Sequence, residues 1–266
     1  MAQQKWLVDG EKIIDIDSIR KLKVGLIAGQ VNVIGHDEPG ARIEVHSVSG
    51  REIKITLEGD TLEIDHAQLR WDNFIDVFKS FRGSARADVS ITVPRDVALK
   101  FGVVSASALI SGLTEDASIS TVSGEVVVDD IHGDLQLNSV SGELAVRNHY
   151  GKIGAHSISG DITVSGEIFT FSADTVSGDV FADITGIPDQ VGVNTVSGSI
   201  TTRLAADVAA QYKINTVSGR LQLDQSEITG VRGSYTGKYG TLDERWLEFR
   251  ANTVSGNISV LHSVSA

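Results

Sequence analysis

A four-residue phrase, [Ser/Thr]-[Val/Ile]-Ser-Gly, returns eight times along this chain, starting at Ser47, Thr121, Ser139, Ser157, Thr175, Thr195, Thr216 and Thr253. From Thr121 to Ser157 and on to Thr175 the spacing is constant; it then widens slightly, and the final gap is about double. A degenerate copy, Ser234-Tyr235-Thr236-Gly237, divides that last gap. Another, Val103-Val104-Ser105-Ala106, stands as far before Thr121 as Ser139 stands after it. A period of about 20 residues marks a stack of supersecondary units, each too small to bury its apolar face alone.

Apolar residues flank each copy at every second position. Leu135/Leu137, Ile153/Ala155, Phe171/Ala173 and Val191/Val193 precede it; Leu144/Val146, Ile162/Val164, Val180/Ala182 and Ile200/Thr202 follow it. Alternation at period two is the pattern of strands with one buried face. The two sets lie on opposite parities, so the Ser-Gly step must bend the chain. We expect the glycine to do this through positive φ. Further glycines, Gly133, Gly151, Gly166 and Gly186, punctuate the coils midway.

The sequence therefore predicts an all-β fold: a parallel, right-handed β-solenoid (β-helix) with about 18–21 residues per coil and an irregular N-terminal cap. Residues 1–102 would form the cap and residues 103–266 the regular coils. Stacked in register, Val122, Val140, Ile158, Val176, Val196, Val217 and Val254 would make one column of side chains lying over one another and turned away from solvent. The motif hydroxyls would make two more, satisfying backbone groups at the bend. Glu125, Glu143, Asp161 and Asp179, which follow the motif glycine, read as a solvated carboxylate edge.

Segments 22–34, 41–46, 51–57 and 61–65 alternate like strands, as does 87–93, which Pro94 stops. Residues 67–82 break the pattern and read as a helix or loop. Phe74, Val77, Phe78 and Phe81 share one helical face, with Trp71 a turn earlier. This is where the aromatics cluster, so these five residues are the candidate partner-binding surface.

Charge and composition exclude several functions. The net charge of −12 provides no basic footprint for nucleic acid. There is no cysteine, hence no disulfide and no thiol chemistry. No apolar run is long enough for a transmembrane segment, and the first residues lack the apolar core of a secretion signal. The expected location is cytoplasmic or peripheral to the inner membrane face, with the cell surface left open. The seven histidines lack metal-site spacing, and no Gly-x-Ser-x-Gly elbow or phosphate loop is present. We expect no enzyme, no catalytic residue, no metal and no cofactor. The expected function is a non-catalytic scaffold that binds an unknown protein or envelope partner, with a homo-oligomer possible through exposed edges. The alternative is a carbohydrate-binding or carbohydrate-active β-helix, for which Tyr239 and Trp246 are the nearest aromatic candidates.

The repeated Thr-Val-Ser-Gly-[Asp/Glu]-[Val/Ile]-x-[Val/Ala] phrase, with the lead-in Ala87-Asp88-Val89-Ser90-Ile91-Thr92-Val93-Pro94, resembles a bacterial β-strand-repeat family of unknown function labelled putative adhesins. The likeness covers residues 24–262. It implies a β-solenoid and carries over no catalytic residues.

Overall fold

The computed structural model describes residues 3–66, 85–224, 226–228, 233–242 and 244–263. Trp71, Phe74, Val77, Phe78 and Phe81, with the helix or loop expected around them, lie outside the described residues. Among the described residues no helix is long and apolar enough to cross a membrane. The fold is all-β, a mixed sheet with mostly parallel pairing. The chain divides into two compact units, Met1–Gly133 and Asp134–Ala266.

The first unit holds β1 (Gln4–Val8), β2 (Lys12–Ile16), β3 (Lys21–Leu26), β4 (Ala28–His36), β5 (Ala41–Ser49) and β6 (Ile53–Glu58). It continues with β7 (Thr61–His66), β8 (Arg86–Pro94), β9 (Ala98–Val103), β10 (Ser107–Ser111), β11 (Ala117–Thr121) and β12 (Val126–Asp129). Two runs of paired strands result. One reads β1–β6–β7–β3–β9–β11, antiparallel at its first two joins and parallel thereafter. The other reads β2–β5–β8–β4–β10–β12, with the same change from antiparallel to parallel. The early coil β3–β4 thus lies between β7–β8 and β9–β10, out of sequence order.

The second unit follows β13 (His132–Ser139) with β14 (Leu144–Ser157), β15 (Ile162–Thr175), β16 (Val180–Thr185), β17 (Gln190–Thr195) and β18 (Ile200–Leu204). Beyond these come β19 (Ala210–Ser218), β20 (Leu221–Leu223), β21 (Ser226–Ile228), β22 (Gly233–Tyr239), β23 (Leu247–Ser255) and β24 (Ile258–His262). The long strands β14 and β15 pair in parallel one repeat apart: Leu144 faces Ile162 and Ser157 faces Thr175. Their first halves continue into β16–β18–β24–β20, and the last half of β15 continues into β17–β23–β19. Here too a coil stands out of sequence order: the last, β23–β24, lies between β17–β18 and β19–β20. The wide stretch between Thr216 and Thr253 serves this detour. Its degenerate copy, Ser234–Gly237, sits in β22, which pairs antiparallel with β19 and is not the parallel coil expected from the sequence.

The expected interior is the observed one. The flanking apolar pairs from Leu135 to Val260 are buried, Phe171 and Phe249 completely, apart from half-buried Leu223. The motif glycine, however, has a different cause from the one expected. Only Gly50 and Gly124 among the motif glycines have positive φ, 83° and 122°. In the second unit the need is for close approach. A Cβ on Gly160 would fall 2.0 Å from the carbonyl oxygen of Gly142. On Gly178 it would fall 2.4 Å from that of Gly160, and on Gly198 2.2 Å from that of Gly178. Neighbouring coils touch backbone to backbone here, and a side chain would wedge them apart.

Candidate functional site

Strand alternation decides what each motif shows to solvent. The first hydroxyl points inward: Ser139, Ser157, Thr175, Thr195, Thr216 and Thr253 are buried. The flanking residues therefore point outward. The aliphatic column expected from the motif does stack, but in the second unit much of it faces water, contrary to a core role. Ile158, Val176, Val196, Val254 and Val217 are 49–63% exposed. Their neighbours fix the register, because Ser157, Thr175, Thr195, Thr253 and Thr216 pair in that order across adjacent strands. At about 4.8 Å per strand the row of methyl groups is roughly 19 Å long. In the first unit Val122 is buried, so the outward turn is not a property of every copy.

A polar row runs beside the aliphatic one, two residues earlier on each strand. Asn215 donates to Asn252 Oδ1 at 2.6 Å, Asn252 to Asn194 Oδ1 at 2.6 Å, and Asn194 to Asp174 Oδ1 at 2.7 Å. His156 lies 3.2 Å from the other Asp174 oxygen. All three amide N–H groups point toward the carboxylate, so the chain of bonds polarises in one direction. A shallow groove of about 550 Å³ follows the two rows from Asp174 to Val254.

The hydroxyls divide into two groups. Ser139 Oγ and Ser157 Oγ each accept the N–H of the glycine three residues on, and each donates to that residue's carbonyl. Ser123, Ser159 and Ser218, at the third motif position, donate to carbonyls of a neighbouring coil. These are the backbone-satisfying roles expected of them. The Oγ1 atoms of Thr175, Thr195, Thr216 and Thr253 have no hydrogen-bond partner among the described residues.

Of the carboxylate edge, Asp161 and Asp179 act as caps. Asp161 accepts the N–H of Asp179 at 2.8 Å, and Asp179 accepts that of Ser199 at 2.7 Å. Among the described residues no three His, Asp or Glu side chains converge as a metal site would require.

A second concave region lies near the end of the same unit. It is a cleft of about 1080 Å³ among β20, β21, β22 and β24, reached by Arg203, Tyr212, Asp224, Tyr235, Lys238, Tyr239 and His262 among others. His262 Nδ1 is 3.0 and 3.1 Å from the two Asp224 oxygens, and its Nε2 is 3.1 Å from the Val208 carbonyl. Tyr239 stacks on the imidazole at 3.7 Å between centroids. The His–Asp pair is a clamp joining four chain segments. With a carbonyl on its far nitrogen, it offers no free base to a nucleophile. Asp224 itself sits at φ 51°, a left-handed conformation uncommon outside glycine. The phenol of Tyr212 is buried without a partner among the described residues, and that burial raises its pKa.

In the first unit Asp65 and His66 are both buried. Burial raises the Asp65 pKa to about 6 and lowers that of His66 to about 4. His66 Nδ1 accepts the Ile27 N–H at 3.2 Å.

Of the two aromatics named from the sequence, Tyr239 lines the cleft, whereas Trp246, 41% exposed, does not. The asparagine row was missed altogether. Its signal was present as Asn194, Asn215 and Asn252, each just before a motif threonine.

What these features define is an all-β repeat protein with two regular outward rows on its second unit. Residues 19–261 match the family model described as Toastrack DUF4097, and the chain belongs to that family. No curated protein matches it. Solved structures with a similar chain include a putative adhesin from Bacteroides fragilis, at 12% identity and a TM-score of 0.47 over 95% of this chain and 99% of that one. Another is a putative adhesin from Parabacteroides distasonis, at 11% identity and a TM-score of 0.47 over 98% and 97%. A putative cell adhesion protein from Clostridium sporogenes matches at 15% identity and a TM-score of 0.29 over 98% and 100%.

Proposed function

We propose that this protein is a non-catalytic binding scaffold whose coils wind as a right-handed parallel β-solenoid, and that it captures a protein partner on the outward rows of its second unit. The parallel registers one repeat apart, Ser157 opposite Thr175 and Thr175 opposite Thr195, support the winding. The observation that carries the binding role is the row of five half-exposed aliphatic side chains, Ile158 to Val217. Soluble proteins seldom leave so regular an apolar strip in water unless something covers it. Beside it the amides bond to one another, which leaves the aliphatic strip as the adhesive part. The partner is a protein segment with an apolar row and basic flanks, because the chain carries a net charge of −12 and the amide row ends on Asp174.

The test compares the parent chain with Val176→Lys/Val254→Lys in affinity capture from the native organism. Half-exposed positions tolerate lysine, so the variant should fold, while its new charges repel a basic partner and break the apolar strip. The reading requires a co-purifying protein with a basic, apolar-faced segment that the variant loses. If parent and variant capture the same proteins in the same amounts, the rows are not the binding surface. A parallel variant, Phe74→Ser/Phe78→Ser, asks the same question of the aromatic segment.

A further inference from the structure

The cleft beside Asp224 has a construction that a structural clamp does not need. Tyr235, Gly237 and Tyr239 lie on one face of β22 at the strand period of two. The Tyr235 side chain lies across Gly237: a Cβ there would meet its hydroxyl at 2.6 Å and its ring carbons at 2.9 and 3.0 Å. The φ of Gly237 is not in the left-handed region, so glycine is needed here only to give the ring room. The ring is held flat along the strand and half-exposed where it lines the cleft. Next along the same face, Tyr239 is fixed by its stack on His262.

The charges at the cleft are largely spoken for. Arg203 pairs with Asp183 at 3.1 Å, and Asp224 pairs with His262. Phosphate or carboxylate ligands therefore find no concentrated cationic site. The lining offers an aromatic shelf, hydroxyls on Ser226 and Ser263, the Lys238 ammonium and open edges of charged pairs. A flat ring with hydrogen-bonding groups at its rim suits a pyranose: its C–H face stacks on the arene and its hydroxyls reach the polar wall. The volume, about 1080 Å³, is slightly above the usual range for small-ligand clefts and leaves room for more than one sugar ring.

We propose that the cleft framed by Tyr235, Tyr239, Asp224 and Ser226 binds a neutral oligosaccharide, with Tyr235 as its stacking platform. This site is separate from the aliphatic row and stands or falls independently of it.

The test is saturation-transfer NMR and titration of the full chain with chitotriose, cellotriose, maltotriose and mannotriose at millimolar concentration. At least one trisaccharide binds. Tyr235→Phe keeps that affinity, since the ring remains. Tyr235→Ala weakens it by about tenfold or more, the loss of one stacking contact. Gly237→Ala does the same by displacing the ring while leaving it in the protein. Thermal unfolding verifies that each variant is folded; should Tyr235→Ala fail to fold, Gly237→Ala decides. Absence of binding by all four trisaccharides overturns the proposal. So does unchanged affinity in Gly237→Ala.

Discussion

Asn252 donates its side-chain N–H to Asn194 Oδ1 at 2.6 Å although the two lie far apart in sequence, on strands separated by several others. The bond exists because β23 is inserted beside β17, ahead of the coil that precedes it in the chain. It is the centre of a row in which Asn252 and Asn194 each donate to one neighbour and accept from the other, with Asn215 donating in at one end and Asp174 accepting at the other. Asn252→Ala cuts that row and leaves Asn215 without its acceptor and Asn194 without its donor. The side chains are exposed, so water compensates in part, and the cost should be about 1 kcal/mol. Thermal unfolding should show a fall of roughly 2–4 °C.

The glycine column allows a sharper comparison. Gly178→Ala forces a methyl group to within 2.4 Å of the Gly160 carbonyl oxygen, and neither backbone can yield without opening the stack. We expect a loss of about 3 kcal/mol. Gly192 lies in the adjacent strand with nothing within 4 Å of its would-be Cβ. Gly192→Ala should be neutral or stabilise by about 0.5 kcal/mol by narrowing the unfolded ensemble. Denaturant unfolding of the two variants measures the contrast; equal effects would refute the close-approach account.

Asp65 and His66 set opposing pH dependences. The folded pKa of Asp65 is raised to about 6, above its unfolded value, so its contribution is complete at low pH and is lost as pH rises from about 4 to 6. The folded pKa of His66 is lowered to about 4, so its contribution is complete at neutral pH and is lost as pH falls from about 6.5 to 4. The two largely cancel in the parent chain. Asp65→Asn should leave stability rising between pH 4 and 6.5, and His66→Gln should leave it falling between pH 4 and 6. Each swing should be on the order of 2 kcal/mol, below the full shift because nearby solvent screens part of it. Urea unfolding across that range measures it.

The clamp at Asp224 joins side-chain chemistry to backbone conformation. Asp224→Asn keeps an acceptor for His262 and is among the residues that tolerate φ near 51°. It should cost about 1 kcal/mol, the difference between a charged and a neutral acceptor. Asp224→Val removes the acceptor and places a β-branched residue in the left-handed region, so it should cost roughly 3 kcal/mol. Thermal unfolding of both variants measures their combined contribution. Similar losses would mean that the backbone conformation and the imidazole contact contribute little.

Much of the strand pattern was legible because burial alternates where the residues alternate. The segments read as strands before Pro94 correspond to β3 through β8, and the apolar pairs around each motif form the observed interior. The antiparallel fate of Ser234–Gly237 was not legible, since a short hydroxyl-rich phrase pairs in either direction. The outward row was misread for a related reason. Valine suggests a core, but its parity relative to the buried threonine places it outside. Tyr235 carried no sign of its role, because the ring matters only through its rest on Gly237.

The sequence by itself determined that the chain is all-β, where the strands from β3 to β8 and beside each motif fall, and which flanking apolar pairs they bury, because two-residue alternation acts locally. Only the tertiary structure decided which coils are neighbours. In the first unit the early coil β3–β4 is set beyond β5–β8, and in the second the last coil β23–β24 is set one place in from sequence order. Every motif copy presents nearly the same edge, so local chemistry cannot choose among them. The choice falls to packing and chain connection, and with it the partners of Asn252, Asn194 and His262.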